Sequence, residues 1–321
     1  TLFIEEQVLE TDLSWREILK NFELQDVDLG IKYSVKKVKE YLLPKMKQGP
    51  FEQKSFSASK LQSFIDCPQK FYFTHIEKID NRPEERISLG PDELGNLEHK
   101  VIAAYFKDLK NIAADIDLTL HQAICVKIFN DYLSESKIVL NETEKARSYN
   151  EIMHYTWNGI VFLIELIKKK SAKDIHFEVP LGKNPWSLKG SIDCLVKGQD
   201  EKLSVLDFKR SGGATGTKAE TIELRKIQLW VYLLVLKQQG HEIDAFGYLN
   251  LSDLSDDKLF FETDEAHKLL STSLESAKEV ITEAMENIQK MKTFMANPRD
   301  SKVCRYCPVE LFCLKGGSCE S

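Results

Sequence analysis

The spacing of apolar residues changes period in the middle of the chain, and this change restricts the fold more than any other feature of the sequence. Helical spacing recurs over about 94–113, 119–136 and 150–170. Three short runs rich in β-branched and aromatic residues follow, Ile175–Val179, Ser187–Val196 and Leu203–Lys209, parted by Pro, Gly and charged turns. A helix over about 219–240, carrying Leu224, Ile227, Leu229, Val231, Leu234 and Leu236, and a strand over about 244–251 come next. A long helix over about 264–295 leads into a cysteine-dense tail. The order helix, three strands, helix, strand is that of an α/β core with additional helices.

Upstream, Ser57 is placed to cap a helix bearing Leu61, Phe64 and Ile65 that ends at Cys67-Pro68. Residues 1–50 show only short helical patterns and a lysine-rich stretch, and break at Gly49-Pro50. The expected organisation is an amino-terminal extension of unclear role over 1–50 and one large domain over 51–321, with a helical insertion at about 94–150. The balance of 50 acidic against 44 basic side chains, net −6, gives no global positive field, so any contact with nucleic acid must be local. No run approaches the roughly 20 apolar residues of a bilayer span and no signal-like segment opens the chain, which predicts no membrane partner and a cytoplasmic setting. The absence of an initiator Met predicts a piece of a longer polypeptide.

The most informative local pattern is the polar turn Lys197–Lys202 between two of the strands. An antiparallel pairing centred near Asp200 sets Asp193 opposite Asp207, with backbones about 5 Å apart. Two like charges so placed destabilise a hairpin unless a cation offsets them, and a divalent metal is the simplest candidate. Lys209 lies two residues after Asp207 and so shares its face of the strand. Two acids and an ammonium suit phosphodiester hydrolysis: carboxylates hold Mg²⁺ or Mn²⁺, and the lysine orients the water or neutralises developing charge. Asp-x-Lys alone would more often be a surface ion pair. Glu178, on the preceding strand, is a further acidic ligand candidate, though no spacing supports it.

Four motifs then carry a resemblance. Gly190-Ser191-Ile192-Asp193, Asp207-Phe208-Lys209, the Gln-x-x-x-Tyr element Gln228 to Tyr232, and Gly95-Asn96-Leu97-Glu98-His99 resemble, in order, the RecB-like branch of the PD-(D/E)XK nuclease superfamily. The resemblance covers roughly 57–315. It implies a restriction-endonuclease-like core, a mixed sheet flanked by helices. It also implies that His99, Asp193 and Asp207 bind the metal, that Lys209 is catalytic, and that Gln228 and Tyr232 line the site and contact the substrate strand.

Of seven Cys, Cys304, Cys307 and Cys313 cluster in the tail, Cys67 stands far upstream, and Cys125, Cys194 and Cys319 are left over. In a reducing compartment such a density of thiolates argues against disulfides and for a soft metal held by four sulfurs; zinc and iron–sulfur both fit. The arrangement resembles the four-iron four-sulfur (4Fe-4S) staple of AddB-type nuclease domains and of related CRISPR-associated nucleases, which implies Cys67, Cys304, Cys307 and Cys313 as ligands, with Cys319 as a substitute. Closing so long a loop would stabilise the fold by about 5 kcal/mol.

Basic candidates for DNA contact are Arg210, beside the proposed site, and Lys168, Lys169, Lys170 and Lys173. Phe71, Tyr72 and Phe73 could stack bases but fit better as core residues. The stretch Gly212–Lys218 lacks the Gly-Lys-Ser/Thr of a phosphate loop, so ATP hydrolysis is not expected. The leading expectation is a Mg²⁺- or Mn²⁺-dependent deoxyribonuclease in DNA end processing or recombinational repair, working beside a helicase domain or subunit. Its alternatives are a stand-alone CRISPR-associated-type exonuclease, a catalytically silent DNA-binding scaffold and a zinc-stabilised hydrolase.

Overall fold

The computed structural model describes residues 55–79, 88–108, 116–136, 138–211, 217–253 and 260–305, together with 307–309 and 313. The expected helices of the first fifty residues, the stretch 212–216 and Cys319 lie outside the described residues. In chain order the elements are β1 (Phe56–Ser57), α1 (Ala58–Asp66), α2 (Pro68–Phe71), a π-helical turn (Tyr72–Ile76), α3 (Pro91–Asp108), α4 (Leu118–Glu135) and α5 (Glu142–Lys170). They continue as β2 (Asp174–Pro180), β3 (Leu188–Lys189), β4 (Ser191–Lys197), β5 (Leu203–Lys209), α6 (Lys218–Ile222) and α7 (Gln228–Gln238). The last are β6 (Ile243–Asn250), β7 (Phe260–Glu262), α8 (Thr263–Lys290) and α9 (Ser301–Arg305).

Five strands form a mixed sheet in the order β2-β4-β5-β6-β7, in which only β5 and β6 run parallel; β1 and β3 make a separate parallel pair. Helices α6 and α7, between β5 and β6, supply the crossover that a parallel pair requires. Three expectations change. The run 187–196 divides because Gly190 takes φ 144°, a backbone turn that side chains disfavour, and its two parts join different sheets. The single helix expected over 219–240 is two: Thr217 and Glu220 form a reciprocal capping box for α6, Leu224 at φ 58° ends it, and Trp230 Nε1 donates to Thr221 O at 2.8 Å across the break. The third helix starts at Glu142, not near 150, because Asn141 caps it by accepting from Glu144 N. Strand β7, only three residues long, is too short to leave a periodic signal.

The larger of two compact units comprises 55–58 with 83–282. One face of its sheet, Cys194, Val196, Leu206, Phe208 and Leu249, packs on Val101, Ile102, Ile160 and Leu163 of α3 and α5. Helix α5 comes so close that a Cβ at Gly159 would stand 2.8 Å from Ile102 and 2.9 Å from Leu251. Against β6, Phe246 stacks on Phe261 with centroids 5.0 Å apart and touches Trp230 of α7. Helix α7 is buried on all sides from Leu229 to Leu236, hence its nearly unbroken apolar sequence.

The smaller unit draws on 59–82 and 283–321. Phe294 packs on Phe64, Phe71 and Tyr72, and Arg299 N donates to Asp66 O at 2.8 Å, so segments far apart in sequence share one core. Phe71, Tyr72 and Phe73 are fully buried and serve packing. Among the described residues no helix is long and apolar enough to cross a membrane.

Candidate active site

The β4–β5 hairpin has the register expected of a turn centred on Asp200: Cys194 pairs with Leu206, Leu195 with Val205, Val196 with Ser204 and Lys197 with Leu203. Gly198 N closes the turn on Lys202 O at 3.0 Å. The recorded ladder stops one step before the acids. Asp193 Oδ2 instead accepts from Phe208 N at 2.7 Å, a charge-assisted bond that holds the carboxylate at the strand end. Asp207 is fully buried, and its Oδ2, which accepts no hydrogen bond of regular geometry, lies 2.5 Å from Lys209 Nζ. Its Oδ1 accepts from the Tyr232 hydroxyl at 3.3 Å, and that hydroxyl accepts from Gln228 Nε2 at 2.8 Å. Because α7 begins at Gln228, one helical turn brings both side chains to this strand end.

Strand β2 adds a third acid. Phe177 pairs with Cys194 and Val179 with Ile192, so Glu178 stands opposite Asp193. Its backbone is left-handed, φ 49°, which is rare for glutamate and marks a strained position. Glu178 Oε2 accepts from Ser191 Oγ at 2.8 Å, and Oε1 lies 3.3 Å from Nδ1 of His99 on α3. His99 Nε2 in turn lies 3.7 Å from Asp193 Oδ2, and its ring meets Phe208 edge-on. His99, Glu178 and Asp193 each offer a ligand atom, all within 4.8 Å of one another. One imidazole with two carboxylates is a hard oxygen-rich donor set, suited to Mg²⁺ or Mn²⁺. Of the expected trio, His99 and Asp193 share this group with Glu178, while Asp207 faces Lys209 and Tyr232.

The electrostatics follow from burial and crowding. Burial and then the neighbouring Asp207 push the Asp193 carboxyl up to about 7, against the pull of His99, Lys209 and the Phe208 N–H. Burial would lower both His99 and Lys209, but the surrounding carboxylates outweigh it and raise them. Glu178 is lowered, chiefly by its bond to His99. Burial and the two aspartates raise the Tyr232 phenol, which therefore stays a neutral donor. A cation entering this cluster would displace protons and relieve acid–acid repulsion.

Arg210 is largely buried, its side chain 17% exposed. Nη2 donates to Glu151 Oε2 at 2.9 Å, Nη1 lies 3.1 Å from Glu98 Oε1 without hydrogen-bond alignment, and the guanidinium sits 5.0 Å from the Tyr155 ring centre. Glu98 is fully buried, and burial, only partly offset by Arg210, pushes its carboxyl up to about 8. The surface lysines are also committed: Lys169 to Glu262, Lys170 to Asp244 and Lys173 to Glu201. Sequence reasoning missed Glu98 and Glu151 as partners of Arg210; an acid next to the histidine of Gly-x-x-x-His was the available signal.

In the smaller unit Cys67, Cys307 and Cys313 are free thiols. Burial raises the Cys307 thiol, and Cys67 and Cys313 lie near enough to add to that rise. Cys304 is disulfide-bonded, so as it stands it offers no thiolate, and the expectation drawn from cysteine density that disulfides are absent fails at this residue.

A mixed sheet whose strand ends gather three acids, a histidine and a lysine is an arrangement compatible with metal-assisted hydrolysis. The chain belongs to the PD-(D/E)XK nuclease superfamily, whose family model matches residues 55–314. Members are hydrolytic nucleases that use divalent metals. The chain is similar to an uncharacterized protein of Rickettsia typhi, 29% identical over 62% of this chain and 23% of that protein. It is also similar to an ATP-dependent helicase/deoxyribonuclease component of Clostridioides difficile, 24% identical over 60% of this chain and 18% of that protein. The chain therefore spans about a fifth of the length of such relatives.

Proposed function

We propose that this chain is a Mg²⁺- or Mn²⁺-dependent deoxyribonuclease domain acting in DNA end processing or recombinational repair, in a cytoplasmic setting. The observation that carries the reading is the convergence of His99, Glu178 and Asp193 within 4.8 Å, beside Asp207 and Lys209 at 2.5 Å. His99, Glu178 and Asp193 would hold the cation, with Asp207 as the adjoining acid. When bound, the cation would activate a water and polarise a phosphate oxygen. Lys209 Nζ, kept cationic by its carboxylate neighbours, orients that water and offsets charge growing on the phosphate. Gln228 and Tyr232 would line the site and contact the substrate strand. The likeness to a helicase/deoxyribonuclease component supports an arrangement beside a helicase domain or subunit.

The same reading extends to a 4Fe-4S cluster in the smaller unit, supported by Cys307 lying near enough to both Cys67 and Cys313 for each to act on its thiol. Cys304 fits as the fourth ligand only once its disulfide is reduced.

The test is cleavage of an end-labelled single strand with Mg²⁺ or Mn²⁺ by the parent and by Lys209→Ala. The parent should cut and the variant should lose about 100-fold or more; equal cutting by both, or none by either, defeats the mechanism. Iron and zinc counted in the same anaerobic preparation decide the cysteine region: about four irons are expected, and stoichiometric zinc would overturn the cluster.

A further inference from the structure

We propose that Arg210 is a positioning residue: paired with the buried Glu98 and held by Glu151 and Tyr155, it locks the helix that carries His99 to the strand that carries Lys209. Each end of the tether is the chain neighbour of a site residue. Glu98 precedes His99 on α3, so holding Glu98 fixes the rotation of that helix and hence the direction of the imidazole. Arg210 follows Lys209 where β5 ends, and successive residues of an extended chain point to opposite sides. Lys209 therefore turns to the acids while Arg210 turns to the helices.

The geometry needs an arginine. Nη1 reaches Glu98 at 3.1 Å and Nη2 reaches Glu151 at 2.9 Å, so one planar group serves two carboxylates on two helices. Tyr155, one turn after Glu151 on α5, supplies a ring face 5.0 Å away. The Arg210 stem lies over Gly95, the glycine of the Gly-x-x-x-His element, where an added Cβ would stand 3.7 Å from Cδ. Among the described residues Arg210 is the only basic side chain within ion-pair distance of the buried Glu98, and a lysine, with a single nitrogen, could not reach Glu98 and Glu151 together.

The inference rests on the proposed nuclease reading only for its catalytic readout; a second readout, Mn²⁺ affinity, stands without it. Arg210→Lys is measured by calorimetry with Mn²⁺ and by cleavage of a labelled single strand across DNA and salt concentrations. A positioning role predicts Mn²⁺ affinity about tenfold weaker and kcat down about 100-fold, with KM for DNA and its salt dependence unchanged. A phosphate contact predicts the reverse, which would overturn the proposal: a KM for DNA raised with kcat and Mn²⁺ affinity unchanged, and a salt slope little altered because lysine keeps the charge. If the parent binds Mn²⁺ yet cuts nothing, the nuclease reading fails while the affinity arm still decides. If Arg210→Lys does not fold, Glu151→Gln carries the test, since it keeps the Glu98 pair. Mn²⁺ affinity weakened about threefold supports the tether, and an unchanged affinity overturns it.

Discussion

Two histidines of the larger unit, both withdrawn from solvent, have their pKa values shifted in opposite directions. His99 sits at the strand ends with its side chain 23% exposed among Glu178, Asp193 and Asp207, and their charges raise its pKa despite burial. His121 lies between α4 and α5, fully buried, and burial alone pushes it down to about 4. Its Nε2 meets the Thr156 hydroxyl at 2.7 Å and the Cys125 thiol at 3.3 Å, both neutral, while Thr156 donates onward to Ile152 O. A buried Cys–His contact would suggest a nucleophile, yet burial lifts the Cys125 thiol to about 11 and keeps it inert. Burial alone depresses a histidine's pKa, whereas burial next to several acids raises it.

The comparison is tested most severely at low pH. The folded pKa of His121 lies below the ordinary 6.5, so as pH falls the unfolded chain takes up the proton first and stability drops. The contribution is complete above about 6.5 and lost on the way to about 4, on the order of 3 kcal/mol. Urea unfolding of the parent and of His121→Gln at several pH values isolates it: the parent should lose that much more than the variant on acidification. Parallel curves would show that His121 is not held neutral by the fold. For His99 the expectation moves from stability to binding. His99→Gln should weaken Mn²⁺ binding about 100-fold by calorimetry, as loss of a direct ligand must cost at least what loss of its supporting partners does. Unweakened binding would make His99 another packing histidine.

The sequence was legible where position along one element decides position in space. The turn around Asp200 set the β4–β5 register, and with it Asp193, Asp207 and Lys209; the spacing of Gln228 and Tyr232 placed both on one helix face. It was less legible where separate segments meet. No local rule brings α3 against β2, so the contact of His99 with Glu178 was invisible, although both residues were candidates. The charge of Arg210 is local information, whereas its pairing with Glu98 and Glu151 arises only through tertiary packing. The splitting of the 187–196 run depended on a single backbone angle at Gly190, which a pattern of apolar residues does not encode.

Glu178 is where that missing information matters most, and it gives the finest test of the comparison. If its carboxylate is a ligand, its left-handed backbone is strain retained for function, and the two properties should separate on mutation. Asparagine adopts positive φ more readily than glutamate but carries no charge. Glu178→Asn should therefore match or exceed the parent in stability, by up to about 1 kcal/mol, while binding Mn²⁺ about tenfold more weakly. The smaller loss than at His99 reflects the exposure of this carboxylate, 51%, and the flexibility that exposure leaves to water as a replacement ligand. Weaker binding with unchanged or improved stability would fix Glu178 as the third ligand. Unchanged binding would leave it as a hydrogen-bond partner that sets the orientation of His99, and the ligand set would then have to be completed by Asp207.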